Sequence, residues 1–309
     1  MKLRLILHGK AARDPRVRDA VDAVRSDGHV VEVRVTWESG DASRMARDAV
    51  EEARNGGLDV IVAGGGDGTV SEVFGASLAA KPPAGCSFGV LPLGTANDFA
   101  HSANIPVEDL TAALRLVTTT PARPIDVGTL EQRVFINLIT GGFGSRVTVE
   151  TDPDLKRRLG GLAYVVTGVS RFAELTANRG RFRAENFEWE GSFYALAIGN
   201  GRQAGGGISL CPKAMLDDGL LDLMILPEVP PDSRLDMFAQ FVLQGAAAIE
   251  SLQVTTRSPW IEYVSHEELY VNLDGEPVQS KRFRVECHPG ALPVHLGQTD
   301  LVKQDNASA

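Results

Sequence analysis

The residues of this chain best suited to handling phosphate lie between Val60 and Glu72, where an apolar run ends in Gly64-Gly65-Gly66-Asp67-Gly68-Thr69-Val70-Ser71-Glu72. Glycines let a backbone approach a ligand closely, and free N–H groups at a helix start suit phosphate oxygens, so the stretch reads as a phosphate cradle. Neither common cradle fits. No G-x-x-x-x-G-K-[ST] pattern occurs, which removes the P-loop. Lys81 to Pro92 lacks the acidic residue that a dinucleotide fingerprint wants about 20 positions on. Asp67 inside a cradle would repel phosphate unless a cation lay between them, and magnesium on a nucleotide polyphosphate supplies one. A plainer alternative is a capping box, Thr69 with Glu72 three residues later, which needs no ligand.

A second loop, Phe88-Gly89-Val90-Leu91-Pro92-Leu93-Gly94-Thr95-Ala96-Asn97-Asp98-Phe99, repeats the theme. Thr95 and Asp98 have the spacing of another capping box, and the Thr95 hydroxyl could reach a phosphate held by the first loop. Together the loops make two walls of one cleft. Asp217-Asp218-Gly219 and Asp274-Gly275 are hairpin-turn signals, and Glu276 follows the second of them. Gly205-Gly206-Gly207 is either a rim of an acceptor site or a long connection. The six histidines share no ligand spacing and read as structural.

These loops need elements to carry them. Leu3 to Leu7, Val30 to Val35, Val60 to Ala63 and Phe88 to Leu91 read as strands, with helices over Val17 to Val24, Ala42 to Ala53, Val70 to about Leu78, and Leu110 to Val117. Such alternation predicts a parallel sheet with crossover helices, whose ligands lie beyond the carboxyl ends of the strands. After Pro121 and Pro124, short strand-like runs take over: Val134 to Ile139, Phe193 to Ile198, Leu220 to Leu226, Leu269 to Leu273 and Arg282 to Cys287. The expected fold is therefore an α/β nucleotide-binding domain over residues 1–124, with about 292–303 as a candidate completion, and a β-rich antiparallel domain over 125–291. One long amphipathic helix, Leu155 to Leu175, is expected inside that region, either covering its own sheet or lying at a membrane interface. Gln304 to Ala309 reads as a frayed tail.

At 309 residues, with 43% hydrophobic and 23% charged, the chain is in the range of ordinary folded proteins. A net charge of −9 gives no global field for nucleic acid, so no nucleic-acid partner is expected. Three separated cysteines, Cys86, Cys211 and Cys287, indicate neither a disulfide framework nor a zinc knuckle, which fits a cytoplasmic setting. The apolar start at Leu3 to Leu7 is cut off by Lys10, Arg13 and Asp14, and no run approaches the ~20 residues of a membrane span.

Gly65-Gly66-Asp67-Gly68-Thr69 followed by Leu91-Pro92-Leu93-Gly94-Thr95-Ala96-Asn97-Asp98-Phe99 resembles the diacylglycerol kinase catalytic domain, in its bacterial branch. Gly141-Gly142-Phe143-Gly144, Gly199 to Gly207, Asp217 to Asp222 and Asn272-Leu273-Asp274-Gly275-Glu276-Pro277 are similar to the YegS lipid kinases, and the likeness runs from Val33 to about Pro293. It implies an ATP-dependent lipid kinase with its site in the cleft between two domains. Carried over by position, Thr36, the loop Gly66, Asp67, Gly68, Thr69, Val70, Ser71 and Glu72, and Thr95 would contact ATP. Glu276 would be the proton acceptor, with Asp67 also catalytic. Asp218 would hold magnesium, or calcium in its place, with the carbonyls of Met215 and Leu220.

One departure stands out: related kinases often carry Asn-Pro-x-Ser-Gly after the first strand, whereas this chain has His8-Gly9-Lys10-Ala11-Ala12. The implied partner is a membrane glycerolipid, of the phosphatidylglycerol or diacylglycerol class, met by peripheral contact at the inner face of the membrane. Two rivals remain. One is an NAD kinase, which shares Gly-Gly-Asp-Gly-Thr but not the Leu93 to Phe99 segment. The other is a non-catalytic lipid- or nucleotide-binding module on the same fold.

Overall fold

The computed structural model describes residues 1–142, 177–229 and 252–303. The helix expected over Leu155 to Leu175, the tail from Gln304, and Phe143 and Gly144 of the glycine run lie outside the described residues. In the first part, strands β1 (Lys2–Leu7), β2 (Val30–Val35), β3 (Val60–Gly65) and β4 (Ser87–Pro92) alternate with helices α1 (Pro15–Ser26), α2 (Asp41–Arg54) and α3 (Asp67–Ala79). The strands pair in parallel in the order β4-β3-β1-β2. β3 and β4 are buried along their whole length, because helices cover both faces of a parallel sheet and every side chain must be apolar or small. Two more helices follow, α4 (Asp98–Ser102) and α5 (Leu110–Thr119), the latter capped by Asp109 accepting from Ala112 N–H at 2.9 Å.

The rest of the described chain is almost entirely strand. β5 (Ala122–Leu130), β6 (Arg133–Phe135), β7 (Leu138–Gly142), β8 (Asn178–Ala184) and β9 (Phe187–Gly199) come first. A short hairpin of β10 (Gln203–Ala204) and β11 (Ile208–Ser209) precedes β12 (Leu221–Pro227), β13 (Val254–Ser258), β14 (Trp260–Leu273) and β15 (Glu276–His295). These strands pair with one another antiparallel. β15 then reaches back, placing Val294 beside Phe88 of β4 in parallel. One strand thus begins at Glu276 and ends against the parallel sheet.

The apolar side chains gather into two main cores. Leu5, Ile61, Val62, Phe74 and Phe88 lie in the first, and Phe182, Phe193, Tyr263 and Phe283 in the second. There the Tyr263 and Phe283 rings stack at 5.0 Å. Each fully buried side chain of this size is worth about 1.5–3 kcal/mol over an exposed one. Among the described residues no helix is long and apolar enough to cross a membrane.

Four element expectations need correction. Helix α3 starts at Asp67, not Val70, because Gly66 supplies the extended cap and the polar first turn hides it from an apolar-spacing reading. The strand expected over Val134 to Ile139 is two strands, broken at Ile136 and Asn137, whose N–H groups turn to a side chain instead of a ladder. β14 and β15 run well beyond Leu269 to Leu273 and Arg282 to Cys287, since exposed polar residues such as Glu267 and Lys281 mask their length.

Candidate active site

The two glycine loops touch. Leu93 N–H donates to the Gly65 carbonyl at 2.9 Å, and a Cβ built on Gly94 would stand 2.5 Å from the Gly66 Cα. Any side chain at Gly94 would therefore push the loops apart. Neither expected capping box forms. Gly66 precedes α3 with no side-chain cap, Thr69 lies inside the helix, and the Glu72 carboxylate accepts from Ser43 N–H at 3.0 Å and Ser43 Oγ at 2.8 Å, tying α3 to α2. In the second loop Asn97 takes the left-handed conformation (φ 50°), and its Oδ1 accepts from Gly94 N–H at 2.8 Å.

Asp67 and Asp98 lock this arrangement. The Asp67 carboxylate accepts from Asp98 N–H at 3.2 Å and Phe99 N–H at 3.1 Å, where the first turn of α4 has no internal partners for those donors. Burial pushes the Asp67 carboxyl up from its ordinary value, and the two N–H groups oppose that rise. Asp98 in turn accepts from Gly207 N–H at 2.8 Å and Gly206 N–H at 3.1 Å. Gly205, Gly206 and Gly207 all have positive φ, so the run is a shaped loop that presents successive N–H groups to Asp98.

Above these loops lies a cavity of about 580 Å³, bordered by His8, Lys10, Gly66, Thr69, Thr95 and Glu276 among others. A second cavity of about 530 Å³ adjoins it and shares His8, Lys10, Thr69 and Glu72. Thr36 and Trp37 line this second one. The structure thus gathers Gly66, Gly68, Thr69, Glu72, Thr95 and Glu276 around one space and Thr36 around the next. Asp67, Val70 and Ser71 border neither: Asp67 faces α4, Val70 is buried, and the Ser71 hydroxyl donates to Asp274.

Met215, Asp218 and Leu220 also stand apart from both cavities. One Asp218 oxygen pairs with the Arg257 guanidinium, and the other accepts from Leu220 N–H at 3.1 Å. Arg257 also holds Asp222 at 2.9 Å through Nε. As folded, Arg257 occupies Asp218 and Asp222 together, so a divalent cation held at this turn would have to compete with that guanidinium for the Asp218 carboxylate. Among the described residues no group of three or more His, Cys, Asp or Glu side chains is placed to hold a metal.

Sequence reasoning missed three residues here. Asp274 passed as a turn residue, yet its carboxylate accepts from Ile136 N–H at 2.7 Å, Leu138 N–H at 2.8 Å and Asn137 N–H at 3.2 Å as well as from Ser71. Its adjacency to Glu276 was the available signal. Trp37 follows Thr36 directly and is 94% exposed on the second cavity. Lys10 belongs to the divergent first loop and lines both cavities.

Residues 2–130 match the family model described as diacylglycerol kinase catalytic domain, and residues 137–296 match the YegS C-terminal NAD kinase beta sandwich-like domain. A protein of Pseudomonas aeruginosa named "Probable lipid kinase YegS-like" is 52% identical over 295 residues, covering 96% of this chain and 94% of its own. One of the same name from Xanthomonas euvesicatoria is 45% identical over 302 residues, covering 95% of each. Among solved structures, a diacylglycerol kinase from Bacillus anthracis superposes with a TM-score of 0.76 at 21% identity, over 96% of this chain and 97% of that one.

Proposed function

The chain belongs to the diacylglycerol kinase catalytic-domain family, in its YegS-like branch, and on that premise we propose that it transfers the γ-phosphoryl group of ATP to a hydroxyl of a glycerolipid. The observation that carries this reading is the single cavity bordered by Gly66, Gly68, Thr69, Thr95 and Glu276. Glycine-loop N–H groups and the Thr95 hydroxyl would receive phosphate oxygens on one side. Glu276, from the start of β15, would face the acceptor hydroxyl on the other.

Phosphoryl transfer asks a protein mainly for positioning and charge stabilisation, since the transferred group leaves with little help from the nucleophile. Thr36 and Trp37 border the adjoining cavity, on the side suited to the base and sugar. Asp67 stands behind the loop and borders neither cavity, but each of its oxygens uses one lone pair on α4 and keeps another, with which it would reach a cation on the nucleotide. Magnesium carried with the nucleotide and held through Asp67 would supply the charge neutralisation that the transfer needs. Glu276 would orient the attacking hydroxyl and take its proton late, since a carboxylate is too weak a base to strip an alcohol beforehand.

We divide the chain accordingly into a nucleotide domain, residues 1–124 with 292–303, and an acceptor domain, residues 125–291, with the reaction between them. The acceptor is a diacylglycerol or phosphatidylglycerol met at the cytoplasmic face of a membrane. Incubating the protein with labelled ATP and a total lipid extract, with and without magnesium, tests the reading. A labelled glycerolipid formed only with magnesium is expected. Label appearing on NAD instead would make this an NAD kinase, and nucleotide binding without any transfer would make it a non-catalytic module.

A further inference from the structure

The first loop, which departs from the pattern of the related kinases, forms the wall between the two cavities. His8 and Lys10 are common to both. The loop is held rigidly: His8 N–H donates to the Gly64 carbonyl at 2.8 Å, Gly9 N–H to Thr36 Oγ at 3.1 Å, and Lys10 N–H to His8 Nδ1 at 3.3 Å. A Cβ on Gly9 would sit 2.4 Å from the Thr36 carbonyl oxygen, so only glycine allows this approach. The result is a one-turn 3-10 helix, Gly9–Ala11, that fixes where the Lys10 side chain starts.

Charge around the cavities is unevenly committed. Arg16 lies on the first cavity, but Asp14 grips its guanidinium, with Nη2 to Oδ2 at 2.7 Å and Nε 3.2 Å from both oxygens. Lys10 is exposed, and among the described residues no hydrogen bond or ion pair engages its ammonium. The other charged side chains there, Asp14, Glu38, Glu72 and Glu276, are acids. A phosphate chain running from the Thr36 side to the Glu276 side would pass this lysine among carboxylates that repel it. Loop N–H groups offer dipoles; Lys10 offers a full, mobile positive charge, which suits phosphate as a point contact.

We propose that Lys10 binds the polyphosphate of the nucleotide where it crosses from one cavity to the other. This rests on the nucleotide-kinase reading above and adds the residue that recognises the phosphate chain. The carrier of the first loop's function is thus a single cation on a rigid turn.

Calorimetric titration of the wild type, Lys10→Ala and Lys10→Arg with ATP, ADP and adenosine tests it. A hydrogen bond to a charged group typically contributes enough to give about 10- to 100-fold in affinity. Lys10→Ala should lose about that much for ATP, less for ADP and none for adenosine, with most of the loss restored in Lys10→Arg. Unchanged ATP affinity in Lys10→Ala overturns the proposal. So does an equal loss for adenosine, which would mean that the lysine shapes the loop and not the phosphate contact. A wild type that binds ATP no more tightly than adenosine would overturn the kinase reading itself, an outcome distinct from either.

Discussion

The Ser71 hydroxyl donates to the carboxylate of Asp274, a residue 203 positions further along the chain and two before Glu276. Through this bond α3, which follows the phosphate loop, grips the turn that presents the proposed base. Asp274 (φ 44°) and Gly275 (φ 104°) form a two-residue turn joining β14 to β15, and the same carboxylate gathers three successive N–H groups from Ile136 to Leu138. Asp274→Asn would put an NH₂ donor against those N–H groups. Thermal denaturation should show a clear loss of Tm, and kcat should fall with KM for ATP nearly constant; a kcat equal to wild type would disconnect the turn from Glu276.

Glu276→Gln keeps size and polarity but cannot accept a proton. Lipid phosphorylation should drop by about 10²–10⁴, the usual range for a lost acid–base group, with ATP affinity unchanged. Turnover close to wild type would sink the base assignment.

For Asp67→Asn, two effects combine. The amide keeps one acceptor for Asp98 and Phe99 N–H but opposes the other, and the charge that would recruit magnesium is gone. Turnover should be largely lost while the circular dichroism spectrum stays native. Full activity restored by raised magnesium would place the charge elsewhere.

Arg257 is the test of the Asp218 turn. In the wild type its guanidinium engages Asp218 and Asp222 and occupies their oxygens, so added magnesium or calcium without nucleotide should leave Tm unmoved. Arg257→Ala exposes two uncompensated carboxylates. It should melt earlier and regain Tm with increasing divalent ion, as mass action requires of a ligand that binds only the folded state. A wild-type Tm that climbs with magnesium alone would show that the cation displaces Arg257.

His295 gives a pH dependence. Its Nε2 lies 2.9 Å from Ser87 Oγ and its Nδ1 2.8 Å from the Thr120 carbonyl, and burial holds its pKa below the ordinary value. The folded state then prefers the neutral ring, so its contribution is complete above the unfolded value of about 6.5 and is lost as pH falls below it toward the folded value. Tm measured from pH 7.5 to 5 should decline in the wild type and decline less in His295→Gln. Parallel slopes would assign the acid sensitivity to other groups.

The alternation of β1 to β4 with their helices is legible in the amino-acid sequence, because buried parallel strands are continuous apolar runs and amphipathic helices repeat at three and four residues. The sequence also located the two glycine loops, the Asp274-Gly275 turn and the strand-rich remainder. These are local signals, written within a few residues of one another. It misplaced the start of α3 and the caps of both loops for the same reason: a Thr–x–x–Glu spacing shows which partners are near in the chain, not which are near in space.

Where each carboxylate goes is set by the packing of distant segments. Glu72 turns to Ser43, Asp67 to α4, Asp98 to Gly206 and Gly207, Asp218 to Arg257, and Asp274 to Ser71 and Ile136 to Leu138. A carboxylate accepts several hydrogen bonds from any donor within about 3 Å, so its partners depend on which strands and loops the fold stacks together. The same holds for Lys10. Its sequence neighbourhood shows only a departure from a familiar pattern, while its place between two cavities exists only once β1, β2 and β3 lie side by side and bring His8, Thr36 and the glycine loop to one sheet edge.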